Sequence, residues 1–181
     1  MLYWIVAVIV IAVLAVLAFA ATKPNSFSLK READIKAPPE TIFALINDFH
    51  EWPKWSPWEK LDPGLTRTHS GAAKGKGAIY EWQGNKKVGQ GRMEILDASP
   101  SAIKIKLDFL KPFEAHNITD FTLEPRGSGT NVSWDMNGPL NFMMKLMHVF
   151  MNMDKMVGKD FEAGLANLKQ AAETGRLSPP A

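Results

Sequence analysis

The first 21 residues, MLYWIVAVIVIAVLAVLAFAA, contain no charged side chain. An α-helix rises about 1.5 Å per residue, so about 20 apolar residues cross the roughly 30 Å hydrocarbon core of a bilayer. Within lipid, a single isolated segment satisfies its backbone hydrogen bonds only as a helix. We therefore interpret residues 1–22 as a transmembrane anchor of a single-pass protein, with the membrane as a partner through residues 1–21.

Two other interpretations of this segment stay open: a buried core helix and a cleaved secretory signal. Residues 18–20, Ala-Phe-Ala, fit a signal cleavage site, but the apolar run is longer than a usual signal core and no Lys or Arg precedes it. Basic residues do follow it, namely Lys23, Lys30, Arg31 and Lys36. The positive-inside rule then favours a domain on the cytoplasmic side, although one flank leaves the side open.

The rest of the chain is the size of one domain. We assign residues 23–26 to a tether, 27–173 to the domain and 174–181 to a flexible tail. The net charge is only +2 and the basic residues are scattered, which argues against a nucleic-acid partner. The chain has no cysteine, so disulfides, thiolate chemistry and sulfur-ligated metals are excluded.

Hydrophobic periodicity predicts the order of the elements. Residues 27–35 alternate as a half-buried strand does, and the prolines at 38 and 39 suit the first turn of a helix that ends near residue 47. Residues 49–58 combine aromatic side chains with two prolines, so we expect short helical turns. The tryptophans of this segment can plug the wide end of the sheet, form the mouth of a cavity or rest on the bilayer surface, and the prolines favour a rigid plug. Four or five antiparallel strands follow, and residues 157–172 return to helical spacing with one apolar face.

This order predicts an α+β fold in which a curved antiparallel sheet wraps around a long C-terminal helix. An antiparallel sheet with one apolar face needs a cover, and the terminal helix is the available one. Curving the sheet around a helix leaves a space between them. Whether side chains or a bound guest fill that space is the functional question.

Several segments resemble the polyketide cyclase/dehydrase family of the START-like (SRPBCC), helix-grip superfamily. They are residues 35–43, 48–58, 89–91, 111–114, 129–134 and the final helix. The resemblance implies the helix-grip fold and a hydrophobic ligand between sheet and helix. Such relatives include cyclising enzymes and proteins that only bind or carry lipids, sterols or quinones. The added anchor resembles a bacterial subset, which implies the bacterial plasma membrane as the location.

No group of residues indicates a catalytic or metal site. The four histidines are too far apart in sequence for a zinc motif, and there is no cysteine to add ligands. Residues 127–129, Gly-Ser-Gly, lack the frame of a nucleophile elbow, and residues 71–77 lack the glycine spacing of a phosphate loop. We predict no catalytic residue, no metal and no cofactor, and leave open whether the protein is an enzyme.

The large apolar side chains are more informative. Strand parity places many aromatic residues on the concave face, and residues 142–153 are apolar nearly all round. Methionine adapts well to irregular or exchanging apolar guests. The predicted ligand-binding residues are Trp55, Trp58, Tyr80, Trp82, Phe109, Phe121, Trp134, Met136, Met143, Met147 and Phe161. For each of them, a plain core position is the competing interpretation.

Two polar side chains are candidates for contact with a ligand's head group, Arg31 and His116. Parity places Arg31 on the same face as Ile35, where an unpaired guanidinium would be costly. Arg31 can instead extend to the rim of the sheet, bind a polar head group, or pair with a carboxylate. The candidate carboxylates are Glu81, Glu94, Asp120 and Asp135.

The anchor and the resemblance together favour a membrane-tethered protein that binds or transfers a hydrophobic small molecule, such as a lipid or isoprenoid-like compound. One alternative is a cyclase or dehydratase (a lyase or isomerase) that acts on a hydrophobic substrate in the same cavity. It needs an inward acid–base pair, which the sequence does not show. The other is a protein-interaction module resembling heat-shock ATPase activator relatives, which would use the methionine-rich segment.

Overall fold

The computed structural model describes residues 1–174, so the predicted tail beyond Thr174 lies outside the described residues. The helices are α1 (Leu2–Ala21), α2 (Pro39–Asn47), α3 (Phe142–Phe150) and α4 (Met153–Thr174). Two short 3-10 helices cover Phe49–Lys54 and Pro57–Lys60. The strands are β1 (Ser26–Ile35), β2 (Thr66–Gly71), β3 (Ala78–Gln83), β4 (Gln90–Ser99), β5 (Ala102–Lys111), β6 (Ala115–Arg126) and β7 (Gly129–Pro139).

All seven strands form one antiparallel sheet in the order β1-β7-β6-β5-β4-β3-β2. The first strand of the domain thus pairs with the last, with Arg31 opposite Trp134, which is itself opposite Phe121 of β6. Except in β2, alternate residues of the strands are the more buried ones and lie on the concave side, where α2, α4 and the two 3-10 helices pack. The predicted α+β helix-grip architecture, with its separate apolar N-terminal helix, is confirmed.

The edge strand β2 was not predicted from the sequence. Its six residues, TRTHSG, include no large apolar side chain, and all six are exposed. A strand without a buried apolar face has no period-two hydrophobic signal, so only its pairing with β3 identifies it. Six strands therefore follow β1, whereas the sequence predicted four or five.

The C-terminal part contains two helices, α3 and α4. Met151 leaves the helical conformation (φ −121°, ψ 129°), and the Asn152 side chain then accepts a hydrogen bond from the Lys155 backbone N–H at 3.0 Å. This asparagine is a helix-initiating residue, so it ends the methionine-rich segment and starts a new helix. As a result α4 begins at Met153, four residues before the predicted start, and α3 is free to take another direction.

Helix α1 is long and apolar enough to cross a membrane, with a mean hydropathy of 3.0 over its central window. Almost none of its length is buried against the rest of the chain; Ala20, at its end, is an exception. Its partner within the described residues is α3, which packs along its C-terminal half.

Candidate functional site

The segment between α2 and β2 fills the concave side of the sheet with tryptophan rings. The Trp52 and Trp55 indole N–H groups donate hydrogen bonds of 2.9 Å to the carbonyls of Ile46 and Leu45, at the end of α2. These bonds let both indoles be buried without an unsatisfied donor. Trp52 and Trp55 are 3% and 0% exposed, so they act as the rigid plug that the sequence predicted.

A stack of aromatic rings occupies the space between the sheet and α4. The Trp134 ring lies 4.0 Å from the Phe161 ring and 4.9 Å from the Phe121 ring, both nearly parallel to it. Trp55 meets Trp134 edge-on at 5.7 Å. The Trp134 indole N–H donates to Thr119 Oγ1 at 2.8 Å, which fixes the ring's orientation. The four predicted ligand-binding residues of this stack therefore contact one another and fill the space predicted to be a cavity.

Two more predicted residues border this stack. Trp58 is half-buried, edge-on to Trp134 at 5.9 Å and to Phe161 at 6.2 Å. Met136 is buried on β7, opposite Leu29 of β1. Gly164 of α4 faces the same rings, since a Cβ there would lie only 2.8 Å from Trp134 Cζ3. Helix α4 thus lies directly against the aromatic layer.

The row of rings continues across the sheet and becomes more exposed at its far end. Phe49 contacts Tyr80 at 5.8 Å, Tyr80 stacks on Trp82 at 6.1 Å, and Trp82 meets Phe109 edge-on at 5.9 Å. Tyr80 is buried, whereas Trp82 and Phe109 are half-buried. We call Trp82 and Phe109, with Gly91 between them, the open aromatic end of the concave face. Gly91 is required there, because a Cβ would lie 2.3 Å from the Trp82 ring.

A buried acceptor lies on the same face. Asn117 is 5% exposed and stands opposite Leu107, two residues along β5 from Phe109. Its Oδ1 atom receives no hydrogen bond from any group within residues 1–174. A buried carbonyl oxygen without a donor is costly. A Cβ at Gly138 would lie only 2.0 Å from this atom, so Oδ1 points toward β7 and away from Phe109 on β5.

Sequence reasoning missed a buried ionic network that holds the plug against the sheet. The Glu59 carboxylate, 8% exposed, accepts a 2.5 Å hydrogen bond from the Tyr80 hydroxyl and a 2.6 Å bond from Arg67 Nε. Burial, followed by the bond to Glu59, raises the pKa of Tyr80 above its usual range. The sequence feature that could have indicated this network is a carboxylate, Glu59, within a segment rich in aromatic residues and proline. A charged side chain in such a buried segment needs partners of opposite charge or hydrogen-bond donors.

Arg31 is paired with α4. Its Nε lies 2.9 Å from Glu162 Oε1, its Nη1 lies 3.2 Å from Asp154 Oδ1, and its Nη2 donates to the Asp154 carbonyl. The hydrogen bonds to Asp154 and Glu162 raise the pKa of Arg31. The four strand carboxylates considered from the sequence are therefore not its partners. The sequence could not identify the pair because it depends on where α4 crosses β1.

His116 lies on the outer face of the sheet, not on the concave face. Its Nδ1 is 2.7 Å from Asp108 Oδ1 and its Nε2 is 3.2 Å from Glu114 Oε1. The hydrogen bond to Asp108 raises the pKa of His116. The side chain is 54% exposed, so it does not line the space between sheet and α4. Its predicted contact with a head group would have to occur on the outer surface.

Met143 and Met147 lie on α3, which packs against α1. Met143 is 59% exposed and Met147 is half-buried. The sequence grouped these methionines with the concave lining because it did not separate α3 from α4. The structure does not bring them into the ring row.

One cavity, of about 330 Å³, is a groove between α1 and α3, lined only by apolar side chains. Another, of about 210 Å³, borders the open aromatic end, because Trp82 and Gly91 line it together with Leu110 and with polar residues of β2, β3 and β4. Neither lies between the sheet and α4. Within residues 1–174, no three His, Asp or Glu side chains are grouped so that they could hold a metal ion.

Residues 26–173 match the family model described as polyketide cyclase/dehydrase and lipid transport. No curated protein matches the sequence. A solved Chromobacterium violaceum protein is 20% identical, with 83% of this chain and 99% of that chain covered and a TM-score of 0.58. The Aha1 dimer from Colwellia psychrerythraea is 18% identical, with 83% of this chain and 98% of that chain covered and a TM-score of 0.56. The di-domain ARO/CYC protein BexL is 15% identical, with 87% of this chain and 53% of that chain covered and a TM-score of 0.60. At these identities, the structural likeness shows the fold alone.

Proposed function

Because this chain belongs to the polyketide cyclase/dehydrase and lipid-transport family, we propose that it is a membrane-anchored protein that binds a hydrophobic small molecule. The molecule is a lipid or isoprenoid-like compound, which the protein sequesters or passes over a short distance. The observation that carries the proposal is the row of aromatic rings that runs from the buried core to the half-exposed open aromatic end.

The anchor places the domain at the bilayer surface. Helix α1 ends at Ala21 and β1 begins at Ser26, so four residues join them. A fully extended chain spans at most about 3.5 Å per residue, which limits the separation to about 17 Å. Lys23 and Lys30 follow the helix, which favours the cytoplasmic side of a bacterial plasma membrane for the domain. This proximity gives the domain a high effective concentration near membrane lipids.

The open aromatic end is the part of the concave face that can accept a guest without unpacking the core. Trp82 and Phe109 present ring surface that the protein covers only in part. Covering apolar surface contributes about 25 cal/mol per Å² removed from water, before ordering costs are subtracted. A long apolar molecule fits this partly covered ring surface.

The binding proposal is tested by titrating the full chain, in nonionic detergent, with a dansyl-labelled fatty acid. We expect saturable binding to the natural chain and about tenfold weaker binding to Phe109→Ala, because part of a ring contact worth about 1.5–3 kcal/mol is lost. Phe113→Ala is the matched control, since it removes the same side chain from the β5–β6 connection, where Phe113 is 58% exposed. We expect its affinity to stay within about twofold of the natural chain.

Two results would overturn the binding proposal. One is the absence of saturable binding to the natural chain; the other is an equal loss of affinity in Phe109→Ala and Phe113→Ala. Anchoring is tested separately by extracting membranes with alkaline carbonate, which we expect to leave the protein in the membrane fraction. A reporter enzyme fused to the C-terminus, active only in the cytoplasm, reports the side; activity only with a periplasmic reporter would refute the proposed orientation.

A further inference from the structure

Helix α3 has the composition of a helix in contact with hydrocarbon. Its nine residues, FMMKLMHVF, include Lys145 and His148 as the only polar side chains. The helix starts with a satisfied cap, because Asn141 Oδ1 accepts a 2.9 Å hydrogen bond from the Met144 backbone N–H. It is a formed helix with an apolar surface, and it packs against α1.

The position of α3 along α1 sets its depth. The groove between the two helices is lined by Ala12, Val13, Val16, Leu17, Leu146 and Phe150. Ala12 lies nine residues before Ala21, and at 1.5 Å per residue it is about 13 Å from the end of α1. If α1 crosses a bilayer with a hydrocarbon core of about 30 Å, a helix that contacts Ala12 reaches well into the nearer leaflet.

The polar and apolar side chains of α3 point in the directions that this depth requires. Phe142 and Met143 are 50% and 59% exposed and face away from the rest of the protein, and Phe150, which lines the groove, is 72% exposed. Lys145 is buried instead, and its ammonium group donates a hydrogen bond to the Asn25 side chain in the tether. The charge is thus held at the level of the tether, where head groups begin, while the uncovered surface is apolar.

From these observations we infer that α3 is embedded in the same bilayer leaflet as the C-terminal half of α1, and that the groove between them holds an acyl chain of a bilayer phospholipid. The inference rests on the proposed membrane anchoring, but not on the proposed ligand site. The groove volume of about 330 Å³ is within the range of natural ligand sites. All six lining side chains are apolar, so a hydrocarbon chain leaves no polar group unsatisfied.

The depth of α3 is measured by spin labelling, which the absence of cysteine makes specific. Single variants Met143→Cys and Phe150→Cys of the full chain are labelled with a nitroxide and reconstituted into palmitoyl-oleoyl phosphatidylcholine vesicles. Collision with oxygen, which partitions into hydrocarbon, is compared with collision with a water-soluble nickel chelate. Leu14→Cys in α1 is the reference for lipid, and Lys86→Cys, in the exposed β3–β4 connection, is the reference for water.

We expect the labels at 143 and 150 to favour oxygen as strongly as the label at 14. If the label at 14 is in lipid while those at 143 and 150 behave like the label at 86, the inference about α3 is wrong and the anchor stands. If the label at 14 is itself in water, both the anchor and the inference are overturned. Intrinsic tryptophan fluorescence of each variant shows that the aromatic core is intact.

The groove is tested by filling it. Val13→Phe places a larger side chain in the groove, and Val6→Phe adds the same side chain on α1 outside the groove. Native mass spectrometry of the full chain, released from the same vesicles into mild detergent, counts the phospholipids retained. We expect Val13→Phe to retain one fewer than the natural chain and Val6→Phe to retain the same number. Equal retention in all three proteins would rule out an acyl chain in the groove.

Discussion

Phe161 is the residue of α4 whose removal best tests whether the inner aromatic stack is a core or a ligand lining. Its ring is 2% exposed and stacks on Trp134 at 4.0 Å with an interplanar angle of 15°. Trp58 closes over it edge-on at 6.2 Å. The substitution Phe161→Ala removes this ring and leaves the surrounding backbone elements in place.

The expected cost follows from the contacts. Returning a fully buried Phe side chain to water costs about 2–3 kcal/mol, and loss of the stack with Trp134 adds about 0.5–1.5 kcal/mol. The sum, about 2.5–4.5 kcal/mol, overlaps the range of about 3–5 kcal/mol for Phe→Ala changes in protein cores. Because domains are stable by only about 5–15 kcal/mol, this is a large part of the free energy of unfolding.

Urea unfolding of the full chain in nonionic detergent, followed by tryptophan fluorescence, measures this cost. Phe113→Ala is the matched control, because Phe113 is 58% exposed and we expect its removal to change stability by less than about 0.5 kcal/mol. A loss below about 1 kcal/mol in Phe161→Ala would refute the reasoning. Such a small loss would mean that the rings of the stack are loosely packed and that a bound guest can displace them.

Two further predictions concern buried titratable groups, both measured by the same unfolding assay. Tyr80→Phe removes the hydrogen bond to the Glu59 carboxylate and costs about 1.5–3 kcal/mol at neutral pH. Since the pKa of Tyr80 is raised above the ordinary 10.0, the tyrosine of the unfolded chain ionises first, and the natural chain loses stability as pH rises above that value. Tyr80→Phe should lose less stability over the same alkaline range. An identical dependence of stability on alkaline pH in the two proteins would contradict this. Burial also raises the pKa of Asp160, so Asp160→Asn should raise the urea midpoint at neutral pH, where the natural carboxylate is charged, but not below the ordinary value of 3.8. A lower midpoint at neutral pH would show that Asp160 has a stabilising role.

The elements with a clear apolar period were predictable. Strand β1 and helix α4 each bury one face, so their sequences carry the period of two and of about 3.6 residues, respectively. The proline-bounded tryptophan segment was also read correctly as a plug, because two prolines exclude a long helix and large rings seek burial. The inward position of Trp134 and Phe121 followed from the same alternation.

The remaining features depend on contacts between distant parts of the chain. Strand β2 has no apolar face, and Arg31 finds its carboxylates on α4, 123 and 131 residues away. The alternation along each strand predicted which face of the sheet each ring occupies. It did not predict whether rings on the sheet contact the rings of the helix and the plug, so the inner stack could not be distinguished from the lining of a cavity. The break between α3 and α4 depends on Asn152, one polar residue within an apolar run.

A bound guest would disrupt the packing of the aromatic rings to different extents at the two ends of the concave face. At the α4 end, Trp134 and Phe161 are already covered by each other, so a guest would have to break a stack worth about 0.5–1.5 kcal/mol and open space for itself. At the open aromatic end, Trp82 and Phe109 are partly exposed, so a guest adds cover without separating rings. Each Å² covered there contributes about 25 cal/mol with no packing to undo. The same fold can therefore keep a solid centre and still bind an apolar molecule at one end.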